Sequence, residues 1–358
     1  MGLLSKVKRN EVILGFEDYC FLLRGTEKSG KTSFYADLVR EFYKDPTAGL
    51  LIPFEKGYSA ISDINVFPYT ILNKVRIDGI EKDGWDVFSE LVNELVETKN
   101  ENGIKIVCID TVDEFFKVAI EKIKRLSIIE TGKPCKSIND AFGGFGRGRE
   151  RLATLIKEQT QKLRGAGYGV MYIGHTKYKT LKTKYDETEY NILGSNLSED
   201  YDKMIANDAD MILMITQEPK IVKNEVVGNE RKLRLRSDGF YAAGSRFKDV
   251  PETIECSAKA FIEAFTNAIK SAAHIKNDKE LKEKIEEQHK HNIVETINED
   301  EEKEKIIQGL KSHKWKDGEQ SEFMGFIKSM DIKLNLKSPK DNDLNDLKNL
   351  VDKFNIIY

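Results

Sequence analysis

Phe21-Leu22-Leu23-Arg24-Gly25-Thr26-Glu27-Lys28-Ser29-Gly30-Lys31-Thr32 is the stretch whose reading decides the fold. Gly25 to Thr32 fit the spacing G-x-x-x-x-G-K-[ST]. Glycine at both ends lets the backbone curl round an anion where a Cβ would clash. The curl turns N–H groups inward and opens a helix whose N-terminal end favours negative charge. The spacing makes Gly25, Thr26, Glu27, Lys28, Ser29, Gly30, Lys31, Thr32 and Ser33 the candidate phosphate-binding residues. Lys31 would reach the outer phosphates of a nucleotide, and the Thr32 hydroxyl would bind Mg²⁺. The flanks agree: Tyr19 to Leu23 form a short apolar run that reads as a buried strand, and Phe34, Leu38 and Phe42 recur at helical spacing.

Working outward, Gly49-Leu50-Leu51-Ile52-Pro53-Phe54-Glu55 reads as a second strand ending in a turn. A strand, phosphate loop, helix and strand in that order predict an α/β fold with a mostly parallel sheet. Glu55 then falls at the C-terminal edge, where phosphates sit. Two readings stay open for it: a carboxylate that polarises an attacking water, or a strand-end residue pairing with Lys56. A third short strand is expected between Val66 and Ile80, and a helix over Trp85–Lys99 with Val87, Leu91, Leu95 and Val96 on one face. Ile104 to Ile109 form an apolar strand that ends in Asp110. An aspartate at a strand tip near a phosphate loop holds Mg²⁺, so Asp110 joins Thr32 as a candidate metal-side residue. Asp113 reads as a cap for a helix over Asp113–Leu126.

Two segments mix basic and aromatic residues. Thr131–Glu150 carries Lys133, Lys136, Phe145, Arg147 and Arg149 among glycines, and Lys177–Glu199 carries Lys177, Tyr178, Lys179, Lys182, Lys184 and Tyr185 without clear periodicity. The first is an unusual glycine-, aromatic- and base-rich segment, and the second reads as a long loop. Lysines and arginines can track a phosphate backbone while aromatics stack on bases; a solvated surface loop is the other reading. Between them, a helix over Arg151–Leu163 leads to Val170–Ile173, a core strand ending in Gly174-His175-Thr176. His175 points to the same edge as the phosphate loop, as a γ-phosphate sensor or as a structural histidine. Ala209–Thr216 is a further core strand. Arg231–Arg236 alternates basic and apolar and, with the turn at Ser237-Asp238-Gly239-Phe240 and a return through Tyr241–Phe247, reads as a hairpin. Arg246 on the return can serve as an arginine finger for a neighbouring nucleotide.

Composition bounds the rest. Of 358 residues, 40% are hydrophobic and 33% charged, and the net charge of −3 confines any nucleic-acid binding to local patches. Cys20, Cys108, Cys135 and Cys256 are scattered without a C-x-x-C pair, which fits a reducing, intracellular setting. Neither a signal peptide nor a membrane-length apolar run is read. No internal repeat is found. The domain pattern is a core over residues 1–270, a charged helical or flexible linker over 271–305, and a small helical module over 306–358.

The order of the phosphate loop, Glu55, Asp110, His175 and the two basic segments resembles the RecA family, and most of all the phage-encoded RecA-like P-loop ATPases of recombination and single-strand annealing. The resemblance covers about Ile13 to Ala268 and implies an ATP- and Mg²⁺-using core that acts on single-stranded DNA. It implies a homo-oligomeric ring or filament with ATP at subunit interfaces, in the cytoplasm of a bacterial host. Glu55 matches the glutamate that activates water. His175 stands where a glutamine usually senses the γ-phosphate. Thr131–Arg149 and Thr176–Leu197 occupy the places of the two DNA-binding loops, and Arg246 that of the basic residue reaching across the interface. The module over 306–358 has no counterpart and can recruit a protein partner. Two alternatives share this core: a hexameric helicase or translocase, and a nucleotide-switched interaction protein.

Overall fold

The computed structural model describes residues 7, 9–182, 189–313, 315–316, 318–330, 332–339, 342–354 and 356. It divides into two compact units, Met1–Lys276 and Asn277–Tyr358.

The first unit is built on one sheet. Strands β1 (Cys20–Gly25), β2 (Gly49–Pro53), β3 (Asn65–Val66), β6 (Ile106–Asp110), β7 (Gly169–Lys182) and β9 (Met211–Val222) run parallel. β10 (Glu225–Arg234), β11 (Gly244–Ser245) and β12 (Thr253–Glu255) join antiparallel, giving the order β12-β10-β9-β1-β7-β6-β2-β3 with β11 on β9. This is an α/β fold with a mostly parallel central sheet. β1, β2 and β6 are buried along their whole length, which is why they read as continuous apolar runs rather than alternating ones. Helices α1 (Lys31–Tyr43), α2 (Gly84–Glu97), α3 (Val112–Thr131), α4 (Arg147–Gly165) and α6 (Ala258–Ala272) cover the sheet. Against one face Phe54, Trp85, Phe88 and Phe115 pack edge to face or tilted, with centroids 5.2–5.5 Å apart. Phe16, Phe21, Phe261 and Phe265 make a second aromatic cluster.

Three local expectations are corrected. The single strand expected between Val66 and Ile80 is instead a separate two-stranded hairpin, β4 (Lys74–Ile77) with β5 (Ile80–Asp83). The segment from Lys177 onward is not a loop: β7 runs on to Lys182 and pairs antiparallel with β8 (Glu189–Ser195), followed by α5 (Glu199–Ala206). Its outer half, Lys177–Lys182 with Glu189–Asn191, is mostly exposed and polar, so no apolar alternation betrays it. The partner of β10 is β9, not the stretch after Gly239. Lys223 and Asn224, both at positive φ, form the two-residue turn that joins them.

In the second unit, α7 (Asp278–Ser312), α8 (Glu319–Ser329) and α9 (Leu344–Phe354) enclose Ile306, Ile307, Leu310, Phe323, Leu347, Leu350 and Phe354. Among the described residues, no helix is long and apolar enough to cross a membrane.

Candidate functional site

The C-terminal ends of β1, β2, β6 and β7 gather the sequence-predicted residues. Gly25 pairs with His175 across β1 and β7, and Pro53 pairs with Asp110 across β2 and β6. The loop from Gly25 to Gly30 leads directly into α1 at Lys31. Two glycines are required by geometry. A Cβ on Gly25 would lie 2.5 Å from Ser29 Oγ, and Gly30 sits at φ +90° with a Cβ position 2.5 Å from the Arg231 guanidinium.

Within the loop, Lys31 Nζ donates to the carbonyls of Gly25 (3.1 Å) and Thr26 (2.9 Å). Burial lowers the Lys31 pKa, opposed by Asp110, Asp113, Glu55 and Glu27. Thr32 Oγ1 donates to Asp110 Oδ2 at 2.7 Å, so the two candidate metal-side oxygens are already adjacent. Burial pushes the Asp110 carboxyl up to about 6, against the Thr32 hydrogen bond and Lys31. A carboxylate costly to ionise in place is one that a cation would stabilise. Ser29 Oγ is buried, with the residue 1% exposed, and has no hydrogen-bond partner. An unpaired buried hydroxyl in this loop is accounted for by an anion it would bond. The donor set therefore fits a nucleotide phosphate chain with a divalent cation: loop amides, Ser29 and Lys31 for phosphate oxygens, Thr32 and Asp110 for Mg²⁺. Thr26, Glu27 and Lys28 form the exposed outer arc of the loop, and Ser33 lies in the first turn of α1.

Glu55 is exposed at the rim, and Thr111 Oγ1 donates to its Oε2 at 3.3 Å. The amides of Phe54 and Glu55 both donate to the Asp110 carbonyl, which ties the two acidic residues to one backbone frame. His175 faces Asp113, whose Oδ2 accepts from the His175 amide at 3.0 Å and lies 3.4 Å from Nδ1. The Asp113 hydrogen bond raises the His175 pKa, against burial. Asp113 does not cap α3; that position is Thr111.

The structure does not bring Arg246 to this site. Its guanidinium binds Asp210 Oδ1 (3.1 Å) and the Asn207 carbonyl (2.9 Å) at the opposite, N-terminal edge of the sheet. In its own chain it is paired at that edge, away from the phosphate loop. Arg231, which the sequence reading took only as strand, does reach the loop, with Nη1 3.5 Å from the Ser29 carbonyl. Its alternation with Leu233 carried no sign of that, because the β9–β10 pairing decides it.

Of the basic and aromatic candidates, Lys177, Tyr178, Lys179 and Lys182 lie on the β7–β8 hairpin, with Tyr178 exposed and Lys182 3.1 Å from Glu189. Lys184 and Tyr185 lie outside the described residues. Lys133 and Lys136 are exposed between α3 and α4. Phe145 is 97% exposed at φ 54°, in a run of five positive-φ residues from Phe142 to Gly146. Arg147 and Arg149 start α4; Arg147 donates to the Phe142 carbonyl, and Arg149 pairs with Asp200 on α5 at 2.5 Å.

The AAA domain family model matches residues 17–247. Among solved structures, a KaiC-like protein from the hyperthermophilic archaeon Pyrococcus horikoshii is similar at 12% identity and a TM-score of 0.34, over 62% of this chain and 80% of that one. No curated protein matches.

Proposed function

From the premise that the chain belongs to the AAA domain family, a family of P-loop ATPases, we propose that it is a Mg²⁺-dependent ATPase acting on single-stranded DNA, in recombination or annealing. One observation carries this reading. The phosphate loop and the lysine-bearing hairpin rise from adjacent strands of one sheet edge, with Gly25 and His175 directly paired. A nucleic-acid strand on Lys177, Lys179 and Lys182 would lie next to the nucleotide whose turnover it controls.

In this reading the loop amides, Ser29 and Lys31 bind and neutralise the phosphate chain, and Thr32 with Asp110 holds the cation. Bound Mg²⁺ neutralises charge that develops on the phosphate oxygens. Glu55, the one exposed carboxylate on the Asp110 frame, orients a water for in-line attack. His175 hydrogen-bonds the terminal phosphate. Phe145, Arg147 and Arg149 with Lys133 and Lys136 supply a second DNA contact. Assembly into a ring or filament gives Arg246 access to the next copy's nucleotide, and the helices of the second unit are free to recruit a protein partner.

The test is ATP hydrolysis with and without single-stranded DNA, using Lys31→Ala as control. We expect DNA to raise turnover, and Lys31→Ala to lower it by about 10²-fold or more, the scale set by removing one preorganised charge-stabilising group. Hydrolysis indifferent to DNA overturns the DNA reading and leaves a nucleotide switch.

A further inference from the structure

Side chains alternate along β10, and Arg231 shares a face of that strand with the fully buried Leu233. This face meets the phosphate loop. Arg231 Nη1 lies 3.5 Å from the Ser29 carbonyl and 2.5 Å from the place a Cβ on Gly30 would take. The other basic side chains of the strand end are taken up: Lys232 pairs with Glu230 at 2.8 Å, and Arg234 pairs with Glu218. Arg231 is exposed, and among the described residues it forms no ion pair. Its contact with the Ser29 carbonyl is longer than an ordinary hydrogen bond. A planar fork of N–H donors therefore stands beside an anion-binding loop with its donors unspent.

The sheet order decides which end of a bound nucleotide this fork would meet. Glu55 and Asp110 follow or end β2 and β6, and His175 lies on β7, all to one side of β1; β9 and β10 lie to the other. Thr32 and Asp110 fix the cation end of the phosphate chain on the β7–β6 side. The nucleoside end then lies towards β9 and β10. Room exists there. Arg231 lines a cavity of about 430 Å³ with Glu230, Lys232, Glu255 and Cys256, at the pairing of β10 with β12. That volume falls in the range of small-molecule sites.

We propose that Arg231 anchors the nucleotide within its own chain, its guanidinium binding the phosphate next to the nucleoside. A fork of this kind suits two oxygens of one phosphate, and the charge makes each hydrogen bond a strong one. Placed away from Glu55 and His175, it holds triphosphate and diphosphate alike and adds nothing at the bond that breaks. It differs in this from a finger that meets the terminal phosphate from a neighbouring copy. The inference rests on the nucleotide half of the proposed function and is independent of the DNA half.

The experiment is calorimetric titration of the full chain with Mg²⁺–ADP and with Mg²⁺ and a non-hydrolysable ATP analogue, for wild type, Arg231→Ala and Arg231→Lys, alongside steady-state ATP hydrolysis. We expect Arg231→Ala to weaken both nucleotides by about tenfold or more, the scale of a hydrogen bond between charged groups, and by the same factor within about threefold. Arg231→Lys, which keeps the charge and loses the fork, recovers part of the loss. The KM for ATP rises in step while kcat falls by less than about threefold, the mark of binding that is equal in ground and transition states. Without nucleotide, the thermal midpoints of the three proteins agree. A loss confined to the ATP analogue, or a kcat that falls more than KM rises, assigns Arg231 to the terminal phosphate and overturns the proposal. Affinities unchanged in Arg231→Ala overturn it, and so does a nucleotide-free midpoint that falls in both variants, which makes the residue structural. Wild type that binds neither nucleotide refutes the proposed function itself, whereas wild type that binds both as tightly as Arg231→Ala refutes the anchor alone.

Discussion

Asp110 and Asp210 are two carboxylates at opposite ends of one sheet, and they are equally hidden, at 5% and 7% exposure. Their company differs. Asp210 sits beside the start of β1: its Oδ2 accepts from the Cys20 amide at 2.8 Å and from Arg164 at 3.3 Å, and its Oδ1 from Arg246 at 3.1 Å. Asp110 has the Thr32 hydroxyl, with Lys31 turned to two carbonyls and an unpaired Ser29 hydroxyl in the same loop. The N-terminal edge is electrostatically complete and the C-terminal edge is not. Incompleteness there is what a ligand would remedy, so the contrast separates a structural end of the sheet from a working one.

The contrast breaks most visibly at Asp210. Asp210→Ala takes the carboxylate from two guanidinium groups and leaves the Cys20 amide unpaired, and should cost about 3 kcal/mol, the upper end for leaving a buried polar group unsatisfied. At about 2–4 °C per kcal/mol, the thermal midpoint should fall by about 10 °C. A shift below about 2 °C would show the two ends to be alike.

Asp110 should behave in the opposite sense. Its folded pKa lies above the ordinary 3.8, at about 6. Between those values the folded state binds more protons than the unfolded, so this group's contribution to stability falls as pH rises from about 4 to about 6. Nucleotide-free Asp110→Asn should therefore gain stability at pH 7, by at most about 3 kcal/mol at about 1.4 kcal/mol per tenfold, with the gain fading below about pH 4. Urea unfolding from pH 4 to 7 reads this, and equal stability at pH 7 would remove the argument. Mg²⁺ affinity should weaken over the same interval as pH falls.

A smaller effect sharpens the assignment of nucleic acid to the C-terminal edge. Replacing Lys177, Lys179 and Lys182 by alanine should reduce the slope of log affinity against log salt by about 2, at about 0.7 per phosphate contact on a single strand. Lys105→Ala, an exposed lysine at the other end, should leave the slope unchanged. An unaltered slope in the triple variant would make the hairpin ordinary surface. Smallest of all, Ser29→Ala removes an unsatisfied buried hydroxyl. It should stabilise the nucleotide-free protein by about 1 kcal/mol while weakening nucleotide binding, the two effects pulling apart.

How much of this was legible in the chain follows the range of the interactions. The phosphate loop is a contiguous spacing, and the strands that carry Gly25, Glu55 and Asp110 are short apolar runs, so each could be read within ten residues. The α/β fold followed from their order. The β7–β8 hairpin was not legible as strand because its outer half, Lys177–Lys182 with Glu189–Asn191, is mostly exposed and shows no period-two apolar pattern. The partner of β10 was mistaken because a turn signal at Ser237–Phe240 stood out more than the two-residue turn at Lys223–Asn224. Asp113 read as a helix cap because capping is the local use of an aspartate at that place.

By itself, then, the sequence determined the loop that can hold phosphate, the α/β order of elements and the position of Asp110 at a strand tip. These depend on neighbours along the chain, where residue type and spacing act directly on backbone geometry. Only the tertiary structure decided that Arg231 touches the loop while Arg246 is held at the far edge, that Thr32 meets Asp110, and that Asp113 gathers His175 and Asn196. Those contacts span 39 to 202 residues, the extremes being Arg246 with Asn207 and Arg231 with Ser29. They are set by strand register, and register is chosen by the burial of whole strand faces, a quantity no single stretch of sequence carries.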